Sequence, residues 1–326
     1  MSKQFTESDR AVLAQLLELK VPKREIARRL HKHRSSVHRE LARNTGPRGY
    51  IPEEAQSRAD VRHWVNRHEK MRDPQVRQYV CRRLLRYWSP DQIAGRLRRE
   101  FRRESKRQIS RQTIYDWIRQ QPSPQRREWR ACLRFGVRRR KHRHDAGRLP
   151  NAVRIDGRPA IVDARRRFGD WEGDTIVGRG HVGGLLSLVE RKSGFTLLAQ
   201  VRDRRAATVR CAAESRLLRF PDTLRRTTTF DNGKEFAEHE RLSAATGMAI
   251  YFAQPYAAWQ RGTNENTNGL VRQYVPKGTD LRATSHREVA AIETSLNDRP
   301  RKRLGYRTPR EVLTSYAQRR GVAFEV

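Results

Sequence analysis

The chain has 326 residues, a length that suits two or three domains with cores of their own. Its 71 Lys and Arg against 36 Asp and Glu give a net charge of +35, which draws a protein to polyanions such as nucleic acid. A membrane partner is not expected, because no apolar run reaches about 18 residues. The three cysteines fit neither a disulfide framework nor a zinc pattern, which is typical of a cytoplasmic protein.

The positive charge is concentrated in the first half of the chain. Residues 1–150 hold 40 of the Lys and Arg but only 16 of the Asp and Glu. We therefore expect the first half to bind the polyanion and the second half to carry acidic residues at specific positions.

Apolar periodicity predicts three N-terminal helices, at residues 8–19, 23–30 and 35–43. Thr6 or Ser8 can cap the first helix, and Pro22 suits the start of the second. The layout is typical of a helix-turn-helix, whose last helix enters the major groove, although His31 stands in the turn where glycine is more usual. A generic three-helix bundle is the alternative. The expected DNA contacts are Lys23, Arg24, Arg34, Ser35, Ser36, Arg39 and Arg43.

The next region is also predicted to be helical, with helices at residues 52–69, from 74 onward, at 91–101 and at 111–119. Ser89 can cap the third of these and Pro90 can open it. Leu85 is expected to pack inward. The last two helices favour a second helix-turn-helix, with plain helical packing as the alternative. Its expected DNA contacts, at the exposed start of the last helix, are Arg111, Gln112 and Thr113.

A basic linker is predicted at residues 120–157, which are too charged to form a core. Arg138, Arg139 and Arg140 are expected to lie along DNA phosphates. A flexible tether without specific contacts is the alternative.

The second half has short β-prone segments at residues 168–177, 185–190, 195–201, 227–231 and 248–253. Helices are predicted at residues 206–220 and 234–246, and a third helix begins near Glu265. The order β-β-β-α-β-α-β-α is that of a ribonuclease-H-like α/β domain with a mixed sheet. We therefore divide the chain into five parts. These are a helix-turn-helix (1–49), a second helical region (50–119), a basic linker (120–157), the ribonuclease-H-like core (158–283) and a helical extension (284–326).

Three acids occupy special positions in this order. Asp174 lies in the first strand, Asp231 ends the fourth, and Glu265 begins the helix after the fifth. Strands one and four are neighbours in this topology, so the three carboxylates are expected to converge. Glu265 could instead be a solvated acid in a polar stretch. Other acids compete for the site or serve as salt-bridge partners: Asp170, Glu172 and Glu235.

Converging carboxylates repel one another unless divalent cations lie between them. Oxygen ligands with open positions suit Mg²⁺ or Mn²⁺. Two such ions about 4 Å apart would hold a phosphodiester for in-line attack.

Four motifs carry a resemblance: WEGDT at 171–175, TFDNGKEF at 229–236, WQRGTNENTN at 259–268 and RPRKRLGYRTP at 299–309. They resemble the D-D-E transposases of bacterial insertion sequences, and within these the insertion-sequence-30 family. Trp171 and Asp174 are also similar to the first catalytic motif of retroviral integrases. The 33 residues between Asp231 and Glu265 are typical of this class. Asp170 departs from the pattern, because histidine is expected there.

The resemblance implies a transposase with a retroviral-integrase-like catalytic domain, which binds the terminal inverted repeats of its own insertion sequence. Asp174, Asp231 and Glu265 would be the catalytic residues and the ligands of two Mg²⁺ or Mn²⁺ ions. With these ions bound, the enzyme would cleave DNA strands and join them to target DNA on the bacterial nucleoid. Pairing of two DNA ends implies at least a dimer. The residues expected to position DNA near the cut are Gln260, Asn264, Asn268, Arg272 and Lys277.

Two other functions fit part of the sequence. A DNA-binding regulator would use the helical units and the charge but would leave the three acids unused. A structure-specific nuclease with the same fold would cleave DNA strands without joining them.

Overall fold

The computed structural model describes residues 4–134, 149–254 and 258–321. Arg138, Arg139 and Arg140 therefore lie outside the described residues. The chain forms two compact units, one of Met1–Tyr79 with Gln112–Trp117 and the other of Val80–Arg111 with Ile118–Val326.

The first unit is built around four helices, α1 (Glu7–Glu18), α2 (Lys23–Arg29), α3 (Arg34–Asn44) and α4 (Pro52–Arg72). Thr6 caps α1 through a reciprocal pair of hydrogen bonds with Asp9. Leu13, Ile26 and Val37 are fully buried where the first three helices meet. The three predicted N-terminal helices are confirmed to within one residue at each boundary.

A half-buried carboxylate stabilises this unit. Glu40 of α3 accepts hydrogen bonds from Arg10 Nε at 2.7 Å, Asn44 Nδ2 at 2.7 Å and the Tyr50 hydroxyl at 3.1 Å. Because Arg10 belongs to α1, the pair fixes α3 against α1. Glu40 is thereby kept away from the exposed face of α3.

Four helices follow in the chain, α5 (Pro74–Leu84), α6 (Pro90–Glu100), α7 (Arg111–Gln120) and α8 (Ser123–Ala131). The predicted start of α6 is confirmed, since Ser89 caps it and Pro90 occupies its first position. Two expectations were wrong. Leu85 is 64 % exposed, because α5 ends at Leu84 and its apolar stripe ends there too. Thr113 is only 3 % exposed, because it lies in the inward stripe beside Ile114 and cannot be an exposed DNA contact.

The second unit contains a five-stranded mixed sheet. Its strands are β1 (Asp170–Val177), β2 (Gly184–Glu190), β3 (Thr196–Val201), β4 (Thr227–Phe230) and β5 (Ala249–Phe252). The spatial order is β3-β2-β1-β4-β5. The first three strands are antiparallel, and β1, β4 and β5 are parallel. This is the ribonuclease-H-like arrangement that the order of elements predicted.

The short helix α9 (Ala160–Asp163) precedes β1. The faces of the sheet are covered by α10 (Ala206–Leu217), α11 (His239–Thr246), α12 (Gly262–Val271), α13 (His286–Asn297) and α14 (Pro309–Arg320). One core packs around Trp171 and includes apolar residues of α10, α11 and α14. The other core lies beneath α12 and α13 and includes Ile176 of β1. The predicted helix at 234–246 is instead a short 3₁₀ turn (Lys234–Phe236) followed by α11, so its start was wrong.

Candidate active site

Asp174 and Asp231 reach the same end of the sheet from adjacent strands. In the parallel pairing of β1 with β4, Glu172 lies opposite Thr229. Each aspartate follows two residues later in its own chain segment, so the two carboxylates stand at the same level. Their close approach depends on Gly173, because a Cβ atom there would lie 2.2 Å from Cε1 of Phe230.

In each aspartate, one carboxylate oxygen accepts a hydrogen bond from a nearby backbone N–H, and the other faces the guanidinium of Arg261. The backbone N–H of Thr175 donates to Asp174 Oδ1 at 2.9 Å, and that of Gly233 donates to Asp231 Oδ1 at 3.0 Å. The guanidinium of Arg261 lies 3.6 Å from Asp174 Oδ2 and 3.3 Å from Asp231 Oδ2. A single cation therefore contacts both carboxylates.

Burial raises the pKa of the Asp174 carboxyl to about 6. The charges of Asp231 and Glu235 act in the same direction, whereas Arg261 and the N–H of Thr175 oppose them. Accumulated negative charge in a partly desolvated place is the condition in which a cation binds. The oxygen-only donor set suits Mg²⁺ or Mn²⁺.

Glu265 lies in the first turn of α12. It is exposed. It follows Arg261 by four residues and precedes Asn268 by three, so all three share one face of the helix. Both neighbours contact Asp174, since Asn268 Nδ2 donates to Asp174 Oδ2 at 2.8 Å. Among the described residues no three His, Cys, Asp or Glu side chains are grouped closely enough to hold one ion.

A buried carboxylate anchors α12 to the sheet. Glu172 is fully buried in β1, where it forms an ion pair with Arg191 at 2.8 Å. Its other oxygen accepts a hydrogen bond from the backbone N–H of Asn264, in the first turn of α12, at 2.9 Å. The Ser187 hydroxyl of β2 lies within hydrogen-bond distance of two amide oxygens, Oδ1 of Asn264 at 3.0 Å and Oδ1 of Asn268 at 2.8 Å, and can donate to either. The helix that carries Glu265 is thus held on the strand that carries Asp174.

The competing acids have other partners. Asp170 is buried and paired with Arg167 at 2.9 Å, and Glu172 is paired as described above. Glu235 is nearer the site, because its carboxylate accepts a hydrogen bond from the Thr175 hydroxyl at 2.8 Å. Sequence reasoning named these acids as salt-bridge candidates, and the geometry assigns that role to the first two.

The predicted DNA contacts around α12 have different environments. Asn264 is fully buried by its bonds to β1 and β2, so its prediction as a DNA contact was wrong. Arg272 is half-buried and donates to the backbone carbonyl of Val177 at 2.8 Å. Gln260 is half-buried and accepts from the backbone N–H of Gln254 at 2.8 Å, while Lys277 is exposed.

The predicted recognition helix presents most of its named residues to solvent. His33 caps α3 by accepting from the backbone N–H of Ser35. His31, in the preceding turn, has φ = 49°, which explains why glycine is more usual at that position. The exposed residues among the predicted contacts are Lys23, Arg24, Arg34, Ser35, Arg39 and Arg43, with Ser36 half-buried; Arg111 and Gln112 of α7 are exposed too.

Sequence reasoning missed two residues of the site. Arg261 was quoted within a motif but was given no role, and Ser187 was not singled out. The available signal for Arg261 was a positive charge one helical turn before Glu265. No local signal identified Ser187, because its partners are far away in the chain.

The sheet order defines a ribonuclease-H-like domain, which the chain combines with a helical N-terminal unit. Residues 2–44 match a family described as a helix-turn-helix domain. We find no helix among the described residues that is long and apolar enough to span a bilayer.

Three curated relatives match almost the whole chain. The transposase of insertion sequence element IS4351 from Bacteroides fragilis is 37 % identical over 99 % of both chains. The transposase of IS1086 from Cupriavidus metallidurans is 42 % identical over 89 % of this chain and 88 % of its own. The transposase InsI of IS30A from Escherichia coli is 36 % identical over 98 % of this chain and 84 % of its own. The chain belongs to the transposases of bacterial insertion sequences, in the insertion-sequence-30 family, a group of polynucleotidyl transferases.

Proposed function

We propose that this transposase binds the terminal inverted repeats of its own insertion sequence, cleaves DNA strands there and joins them to target DNA. The catalytic residues are Asp174, Asp231 and Glu265. The observation that carries the proposal is the contact of one guanidinium with both aspartates, 3.6 and 3.3 Å away. Two carboxylates on neighbouring strands share one cation, which is the arrangement that metal-dependent phosphodiester chemistry requires.

Asp174 and Asp231 would hold one divalent ion jointly, and Asp174 with Glu265 the other. When bound, Mg²⁺ or Mn²⁺ activates the attacking oxygen and stabilises the leaving oxygen. The chain's own residues orient the ligands. Backbone N–H groups fix one oxygen of each aspartate, and Asn268 fixes the rotamer of Asp174. No side chain has to form a covalent bond to DNA.

The exposed residues of α3 support the proposal for end recognition. Arg34, Arg39 and Arg43 provide positive charge on a helix that the fold presents to solvent. Cleavage and joining at two ends require the ends to be held together, so the active assembly is at least a dimer. Lys277 and Arg272 supply positive charge next to the site for the strand being cut.

The proposal is tested with the full chain, Mg²⁺ and duplex DNA that ends in the element's inverted repeat. We expect strand nicks at the repeat boundary, followed by joined products with target DNA. Binding without nicks would identify a DNA-binding regulator. Nicks without joined products would identify a nuclease. Either result would contradict the proposal.

A further inference from the structure

Arg261 lies between the two aspartates in a position that its own hydrogen bonds do not explain. It precedes the first residue of α12, and its side chain is only 15 % exposed. Its contacts with the carboxylates, at 3.3 and 3.6 Å, are longer than a close ion pair of this unit such as Arg96–Glu311 at 2.6 Å. The contact is therefore shared between two carboxylates and is optimal for neither.

The rest of the Arg261 side chain is poorly satisfied in this position. Its Nε atom is buried and has no hydrogen-bond partner within the described part of the chain. One Nη atom reaches the carbonyl of Gly173 only at 3.4 Å. A buried donor without a partner is unfavourable, so the attraction of the carboxylate pair must compensate for it.

The carboxylates themselves are arranged for a cation at this point. Oδ1 of Asp174 and of Asp231 is bound by a backbone N–H, and both Oδ2 atoms are directed to the guanidinium. Without a positive charge the two acids would repel each other. The guanidinium of Arg261 supplies that charge.

We propose that Arg261 is the internal counter-ion of the carboxylate pair and competes with divalent cations for it. The inference rests on the proposed function, in which Asp174 and Asp231 are metal ligands. Arg261 holds the two acids together in the metal-free protein, and its guanidinium would leave the pair when Asp174 and Asp231 hold a divalent ion. Arg261 thus lowers the metal affinity of the site and preserves its geometry before metal binding.

The direct test is Mn²⁺ binding by the full-length protein, with free Mn²⁺ counted by electron paramagnetic resonance. Arg261→Gln removes the charge. Arg282→Gln is the matched control, since it also removes one positive charge, from an exposed pair with Asp280. We expect Arg261→Gln to bind Mn²⁺ about tenfold more tightly than the unmodified chain, and Arg282→Gln to bind it equally. Metal-free Arg261→Gln should also unfold at a lower temperature, with the difference removed by saturating Mn²⁺.

A second variant separates charge from folding. Arg261→Lys keeps the positive charge, so its Mn²⁺ affinity should stay near that of the unmodified chain, and circular dichroism establishes that each variant is folded. Equal or weaker Mn²⁺ binding by folded Arg261→Gln would overturn the inference while leaving the metal site intact. If Asp174→Asn and Asp231→Asn bind Mn²⁺ as well as the unmodified chain does, the proposed metal site fails and the inference fails with it.

Discussion

Asn268 donates a hydrogen bond from its side-chain amide to Oδ2 of Asp174 at 2.8 Å, and so links α12 to the first catalytic strand. Asn268→Ala should therefore lower the rate of strand cleavage by about 10–100-fold, the usual effect of losing a residue that orients a metal ligand. Binding to the terminal repeat should be unchanged. Asn151→Ala is the control, because the Asn151 amide donates to Glu240 at 3.0 Å and not to a carboxylate of the site, so cleavage should be normal. Cleavage at the normal rate by Asn268→Ala would show that Asp174 is oriented without it.

Gly173 allows β1 and β4 to approach where the two aspartates meet. Gly173→Ala would bring a Cβ atom to 2.2 Å from Cε1 of the Phe230 ring, so we expect a loss of about 1–3 kcal/mol in the free energy of unfolding. Cleavage should fall as well, because the strands must separate. Phe230→Leu in the same chain should recover part of the stability. Gly262→Ala is the control, since nothing lies within 4 Å of its added Cβ. Equal urea midpoints for Gly173→Ala and the unmodified chain would contradict this prediction.

Glu172 stabilises the fold through a buried ion pair. Glu172→Gln keeps an acceptor for the N–H of Asn264 but leaves the buried charge of Arg191 without its nearest partner. We expect a loss of about 3–5 kcal/mol in the free energy of unfolding, measured by urea denaturation. Replacing both residues, as Glu172→Gln with Arg191→Met, should cost less than the two single losses added together. If the loss in the double variant equals the sum of the losses in the two single variants, Glu172 and Arg191 do not act as a unit.

Arg39 is exposed on α3, with its Nε atom bonded to the carbonyl of Ser35 at 3.2 Å. If α3 reads the terminal repeat, Arg39→Ala should weaken binding by about 1–3 kcal/mol when it contacts a base. If it contacts a phosphate, the slope of log affinity against log salt should fall by about 1. Arg72→Ala, an exposed change at the end of α4, should leave binding unchanged. Equal affinity and slope for Arg39→Ala would exclude Arg39 from the interface.

The elements were predictable because each one carries its own local signal. Apolar periodicity and side-chain caps such as Thr6 and Ser89 determine where helices start, and these signals lie within a few residues. The neighbouring positions of β1 and β4 also followed from the order of elements. The same topology predicted that Asp174 and Asp231 would lie together.

What could not be predicted depends on contacts between distant parts of the chain. Asn264 stands in a polar stretch that suggests a surface, yet Ser187, 77 positions earlier, buries it. The positive charge of Arg261 before Glu265 is visible in the sequence, but its contact with both aspartates depends on segments that are distant in the chain. The polar and basic residues around α12 are all expected to contact DNA, whereas Asn264 attaches the helix to the sheet.

The central claim is that Asp174, Asp231 and Glu265 together carry out strand cleavage. The most direct measurement is Mg²⁺-dependent nicking of terminal-repeat DNA by Asp174→Asn, Asp231→Asn and Glu265→Gln, with Glu240→Gln, an exposed acid bonded to Asn151, as control. We predict that each of the three variants binds the DNA end normally but does not nick it, while the control nicks at the normal rate. Nicking by folded Glu265→Gln at the rate of the unmodified chain would contradict the assignment.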